Sequence, residues 1–146
     1  MEPKGESLRI LLIDDNHDHA RILQWAFKKT GRKDEFTYFD DGSSALQYLK
    51  TADTGGSGKP DLIFLDLNLP RLDGREVLRL LKSEDGTKGI PVIIVSTSER
   101  EEDVRKAYEL GASSYVSKFS ILNDVNPVLQ TIQAYWGSAA KQPKRT

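Results

Sequence analysis

The chain has 146 residues, with 21 lysines and arginines against 22 aspartates and glutamates and a formal net charge of −1. This length supports one domain with a real core, and the balanced charge excludes the basic field that would hold nucleic-acid phosphates. The chain has no cysteine, which rules out disulfides and thiolate metal sites; no apolar run approaches the roughly 20 residues of a membrane span, and MEPKGESLR lacks the apolar core of a signal peptide, so a cytoplasmic protein is expected.

In chain order, Leu8 to Ile13 is a short continuous apolar run, the pattern of a buried strand, and it ends in Asp14-Asp15. Asn16 can cap the helix that follows, in which Ile22, Leu23, Ala26 and Phe27 recur at helical spacing until Gly31. Phe36 to Phe39 is a second strand, and Ala45, Leu46 and Leu49 mark a short helix. Thr54-Gly55-Gly56-Ser57-Gly58 reads as a flexible loop. Leu62 to Leu65 is the third strand; Asp66 stops it and Leu67-Asn68-Leu69-Pro70 turns the chain away. Val77, Leu78 and Leu81 make a third helix, and Pro91 to Val95 a fourth strand followed by Ser96-Thr97.

Ser98 and Glu101 have capping-box spacing, and Val104, Ala107 and Tyr108 follow on one helical face that Gly111 ends. Tyr115 and Val116 belong to a fifth strand, which ends in Ser117-Lys118. Leu122, Val125, Val128, Leu129, Ile132, Tyr135 and Trp136 form an apolar stripe on a last helix, most of which core packing alone would explain. One domain over residues 7–137 is expected, with 138–146 a frayed polar tail and no output domain.

Strands alternating with helices imply a parallel sheet covered on both faces. Right-handed crossovers make it an open, doubly wound α/β sheet, for which 2-1-3-4-5 is the common five-strand order. Ligands bind outside the carboxyl ends of such strands. Those ends carry Asp14, Asp15, Asp66, Ser96 and Lys118.

Three converging carboxylates repel one another and need a cation. Oxygen donors without histidine or cysteine favour a hard ion, Mg²⁺ before Ca²⁺. Lys118 would add fixed positive charge and Ser96 a hydroxyl for a phosphoryl oxygen. A buried carboxylate can attack phosphorus, so Asp66 is a candidate phosphate acceptor. Each residue taken alone has a plainer reading, as a turn former, a helix cap or a solvated lysine; their convergence on one chemistry sets those readings aside. His17 and His19 stand two apart on a helix, do not share a face, and are read as ordinary surface residues rather than metal ligands.

LRILLIDDN, PDLIFLDLNLPRLDG, IPVIIVSTS and GASSYVSK together resemble a two-component response-regulator receiver domain over nearly the whole chain. The resemblance implies the 2-1-3-4-5 sheet and a phosphorylated Asp66. It further implies Asp15 as a direct Mg²⁺ ligand, Asp14 acting through water and Asn68 giving its backbone carbonyl to the metal. Ser96 matches the switch hydroxyl, Tyr115 the switch aromatic and Lys118 the family lysine. Asn68 and Ser98 would flank the site and tune an autophosphatase reaction.

The glycine-rich insert, the STS after strand four and the AYW near the chain's end are similar to single-domain regulators of the phytochrome type. That implies a light-sensing histidine kinase as phosphate donor. It also implies a homodimer through the face of helix four, strand five and helix five, sealed by Val128 and Tyr135. Phe119 stands where the family usually has proline after the lysine. A trans bond is expected there, since a cis bond without proline costs about 2.5–4 kcal/mol, and Lys118 is expected to sit differently as a result.

Three rival readings compete. A haloacid-dehalogenase-type phosphatase wants a second aspartate where Asn68 stands. A flavodoxin-like flavin binder would place a phosphate against Asp14-Asp15. A degenerate receiver, acting as a phosphate-independent binding module, is favoured only by Phe119.

Overall fold

The computed structural model describes residues 7–29, 33–55 and 59–123, with side chains 52–55 and 122–123 excepted. Gly31, residues 56–58, the apolar stripe from Val125 to Trp136 and the tail lie outside the described residues.

The elements run β1 (Arg9–Ile13), α1 (His17–Lys29), β2 (Glu35–Phe39), α2 (Gly42–Gly55), β3 (Leu62–Leu65), α3 (Gly74–Ser83), β4 (Val92–Ser96), α4 (Glu101–Glu109), β5 (Ser114–Ser117) and α5 (Lys118–Asn123). All four strand pairings are parallel, in the order β2-β1-β3-β4-β5. This is the doubly wound fold expected from the sequence. Among the described residues, no helix is long and apolar enough to cross a membrane.

The strand alternation sorts the core into two layers. Leu11, Ile13, Ile63, Leu65, Val92 and Ile94 pack with Ala45, Leu49, Val77, Leu78, Leu81 and Ala107 from α2, α3 and α4. Ile10, Leu12, Leu62, Phe64, Ile93 and Val95 face the other way, onto Ala20, Leu23, Ala26 and Phe27 of α1 and Ile121 of α5. The central strands β3 and β4 are buried along their whole length. This is why they read as unbroken apolar runs rather than as alternations.

The helix ends explain where the chain turns. Asn16 Oδ1 accepts the His19 N–H at 3.1 Å, capping α1 as expected. Asp73 caps α3 by accepting the Arg75 N–H at 2.9 Å. Gly111, at φ 108°, ends α4 in the left-handed region that glycine tolerates. The capping box expected at Ser98 and Glu101 does not form. α4 starts at Glu101 with Arg100 as its N-cap and no side-chain cap. Ser98 has other partners: its hydroxyl donates to Asp103 Oδ2 and accepts the Arg100 N–H.

Candidate functional site

The strand register brings the functional residues to one edge. β1 and β3 are paired up to Ile13 and Leu65, and the Asp66 N–H continues the ladder onto the Ile13 carbonyl at 2.9 Å. Asp14 and Asp66 therefore leave adjacent strands side by side. Both continue the alternation of the α1/α5 layer, through Leu12 and Phe64. Among the described residues the buried polar or charged side chains are Asp14, Asp66, Ser96 and Lys118. All four stand at the carboxyl ends of the strands, the edge where such sheets bind ligands.

One oxygen from each of Asp14, Asp15 and Asp66 lies within 4.8 Å of the others. Asp15 is exposed, while Asp14 and Asp66 are almost fully enclosed. Lys118 opens α5 and projects its ammonium between the two buried acids. Nζ stands 2.8 Å from Asp14 Oδ2 and 2.9 Å from Asp66 Oδ2. The second oxygens are held by the backbone: Asp14 Oδ1 accepts the Asn16 N–H at 2.9 Å, and Asp66 Oδ1 accepts the Asn68 N–H at 3.1 Å.

The electrostatics are uneven because two carboxylates share one ammonium. Burial pushes the Asp66 carboxyl above its usual range, and Asp14 adds to the effect; Lys118 and the Asn68 N–H oppose it without cancelling it. Burial works against the charge on Lys118 too, but hydrogen bonds and charge from both acids outweigh it and raise its pKa. The site has a carboxylate short of positive charge, beside an exposed third acid. An all-oxygen donor set of this charge fits a hard divalent cation.

The Lys118–Phe119 peptide is trans, since the described residues contain no cis bond. The absence of proline does not displace the lysine: its ion pairs with Asp14 and Asp66 are short and its side chain is 4 % exposed. The expectation that Phe119 would shift Lys118 is corrected on this point. Tertiary ion pairs fix the side chain whatever follows it in sequence.

Ser96 ends β4 and is fully buried, its hydroxyl accepting the Ser98 N–H at 3.2 Å. Tyr115 packs against the α2/α3/α4 layer and donates its hydroxyl to the Ser98 carbonyl at 2.8 Å. Ser96 and Tyr115 thus meet through the backbone of Ser98. Ser98 is tied in turn to Asp103, and Asp103 to Arg75 at 3.3 Å.

Three contributors escaped the sequence reading. Tyr38 on β2 donates its hydroxyl to the Asp14 carbonyl at 2.7 Å, bracing the acidic turn from the side. Arg75 and Asp103 form the bridge just described. His19 Nδ1 stands 3.0 Å from Lys118 Nζ. The two histidines do point to different neighbours, as their spacing requires, and His17 pairs with Asp40. The His19 contact joins residues 99 apart in sequence, so no local pattern signals it.

Comparison with known proteins agrees with this geometry. The pattern of the response regulator receiver domain matches residues 10–129. The response regulator Rcp1 of Synechocystis is 38 % identical over 128 residues, 87 % of this chain and 87 % of its own. A probable methanogenesis regulatory protein, FilR2 of Methanothrix harundinacea, is 36 % identical over 127 residues, 87 % of this chain and 82 % of its own. The crystal structure of the phosphorylated cyanobacterial phytochrome response regulator RcpA superposes with a TM-score of 0.85 at 36 % identity, covering 95 % of this chain and 100 % of that one. The Mn²⁺-bound form of Rcp1 superposes at 0.82, again with 36 % identity, over 94 % of this chain and 99 % of the other.

Proposed function

Because this chain belongs to the response regulator receiver domain family, we propose that Asp66 is its phosphoacceptor and that a histidine kinase supplies the phosphoryl group. The observation that carries this reading is the buried Asp66 carboxylate, 2.9 Å from the Lys118 ammonium and clustered with Asp14 and Asp15.

In the transfer, an Asp66 oxygen attacks phosphorus, a P–O bond forms, and the P–N bond to the donor imidazole breaks. Burial raises the energy of the carboxylate before reaction, and Lys118 stands ready to neutralise charge on the transferred group. Asp14, Asp15, Asp66 and the Asn68 carbonyl would hold Mg²⁺, which supplies charge neutralisation for the phosphoryl oxygens when bound. The acidic cluster and the Mn²⁺-bound form of Rcp1 support a divalent cation here. Ser96 would donate its hydroxyl to a phosphoryl oxygen. Because the Ser98 N–H is bonded to Ser96 and the Ser98 carbonyl to Tyr115, movement of Ser96 would reach Tyr115 and the α4–β5 face. Hydrolysis of the acyl phosphate would reset the switch.

The phytochrome regulators among the similar structures support a light-sensing kinase as donor. A homodimer through α4, β5 and α5 remains part of the proposal; its sealing residues Val128 and Tyr135 lie outside the described residues.

Intact mass after incubation with acetyl phosphate and Mg²⁺ tests the reading. The expected result is one phosphate on the parent and none on Asp66→Asn. Equal labelling of both proteins, or hydrolytic turnover of a simple phosphate ester, would overturn it.

A further inference from the structure

Lys118 has three N–H bonds to give, and the structure shows three acceptors: Asp14 Oδ2, Asp66 Oδ2 and His19 Nδ1. An ammonium can only donate, so Nδ1 must carry a lone pair. His19 is then neutral, with its proton on Nε2. The three acceptors come from different elements. Asp14 follows β1, Asp66 follows β3, and His19 lies in the first turn of α1.

Only the bond to Asp66 has to change when a phosphoryl group arrives on that residue. The other two can persist and keep the ammonium where it is. His19 matters for a local reason. The lysine stem is long and flexible, so the aim of its ammonium depends on what grips the head group. Asp14 cannot do this alone, because one acceptor leaves the ammonium free to swing about the contact.

We propose that His19 is a positioning residue that clamps Lys118, through Nδ1, in the orientation that meets the phosphoryl group on Asp66. The proposal rests on Asp66 being the phosphoacceptor. It places no group of His19 on the substrate.

The chemistry of the side chain supplies a discriminating test. Asparagine puts an oxygen acceptor at the δ position, where His19 Nδ1 stands; glutamine moves its acceptor one atom further out. The rate of Asp66 phosphorylation by acetyl phosphate at saturating Mg²⁺ is measured on the parent, His19→Ala, His19→Asn and His19→Gln. A loss of about tenfold, within the range expected for misplacing a reacting group, is expected for alanine and glutamine, with recovery in the asparagine variant. Long-range ¹H–¹⁵N spectra in mildly alkaline buffer without metal supply a second readout. They should show His19 held as the Nε2–H tautomer.

Alanine matching the parent, all three variants losing rate alike, or a His19 proton residing on Nδ1 would each overturn the clamp. If the parent itself takes up no phosphate, the assignment of Asp66 fails instead, and the tautomer still decides whether His19 holds Lys118.

Discussion

Gly74 lies directly against Asp66: a methyl group placed on Gly74 would stand 2.2 Å from the Asp66 carbonyl oxygen and 2.5 Å from Leu67 Cα. The Gly74 N–H also bonds the Leu67 carbonyl at 2.9 Å. The loop that carries Asp66 is therefore pressed onto the start of α3, and only a residue without Cβ permits the approach. Both clashing groups are backbone, so neither can rotate away. Gly74→Ala is expected to lose about 2 kcal/mol or more of stability, in the upper part of the range for overpacking. It should also slow phosphate uptake, because Asp66 moves with its loop. Thermal unfolding and intact-mass labelling check this; a variant as stable and as reactive as the parent would contradict it.

The uneven electrostatics of the acid cluster predict how metal and pH act on stability. The Asp66 pKa is raised by burial first and by Asp14 second. A carboxyl whose folded pKa exceeds its unfolded value binds its proton more tightly in the fold. Its contribution is present below the unfolded value of about 3.8 and lost as pH rises through the folded one. At neutral pH Asp66 thus costs stability, and Asp66→Asn should melt higher than the metal-free parent, the gap closing as pH falls toward 4. Mg²⁺ at tenfold over its Kd should stabilise the parent by about 1.4 kcal/mol and the asparagine variant by less. Calorimetry in EDTA and in MgCl₂ across this pH range is the check. An asparagine variant that melts lower than the metal-free parent at neutral pH would count against the electrostatic account.

Tyr38 gives the alkaline counterpart. Burial, followed by the charges of Asp14, Asp40 and Asp15, pushes its phenol up to about 12 from 10.0. Its hydroxyl donates to the Asp14 carbonyl, a bond that ionisation would destroy. A raised pKa means stability present below 10 and lost as pH climbs toward 12. Absorbance titration should show one late-ionising tyrosine that disappears in Tyr38→Phe. That variant should also bind Mg²⁺ more weakly, since the Asp14 turn loses its brace. A Tyr38→Phe protein with the parent's titration curve would refute the assignment.

The sheet was legible in the sequence because β1, β3 and β4 are buried on both faces and so appear as unbroken apolar runs. Under the common five-strand order 2-1-3-4-5, which the runs alone do not fix, Asp14, Asp15, Asp66 and Lys118 meet at one edge. Side-chain partnerships across that edge were not legible. His19 meets Lys118 from a helix 99 residues away, and Tyr38 reaches Asp14 through a backbone carbonyl that has no sequence signature. Ser98 and Glu101 did fit a local pattern, but the pattern misled: Asp103, two residues further into the helix, takes the serine hydroxyl. Phe119 misled in the opposite direction, because a local rule about the peptide bond carried no information about the two ion pairs, with Asp14 and Asp66, that fix Lys118.

The Ser98–Asp103 bond also sets the last prediction. Asp103 lies below the usual carboxylate range, first because the Ser98 hydroxyl donates to it, then through Arg75 and Arg100. The carboxylate is only partly exposed but still reached by solvent, so its share of stability is modest and screened by salt. A depressed pKa contributes above the unfolded value of about 3.8 and is lost as pH falls through the folded one. Ser98→Ala should therefore raise the Asp103 pKa toward that value, read directly by carboxyl ¹³C titration. The Ser98 N–H and carbonyl are bonded to Ser96 and Tyr115, so the same variant should loosen both side chains. The phosphorylated protein should then hydrolyse at a rate changed by roughly threefold or more, the scale of a weakened hydrogen bond near the reacting group. An unmoved Asp103 would show that the serine does not hold the carboxylate. A shifted Asp103 with an unchanged phosphate lifetime would show instead that the Arg75–Asp103 bridge serves the fold and not the switch.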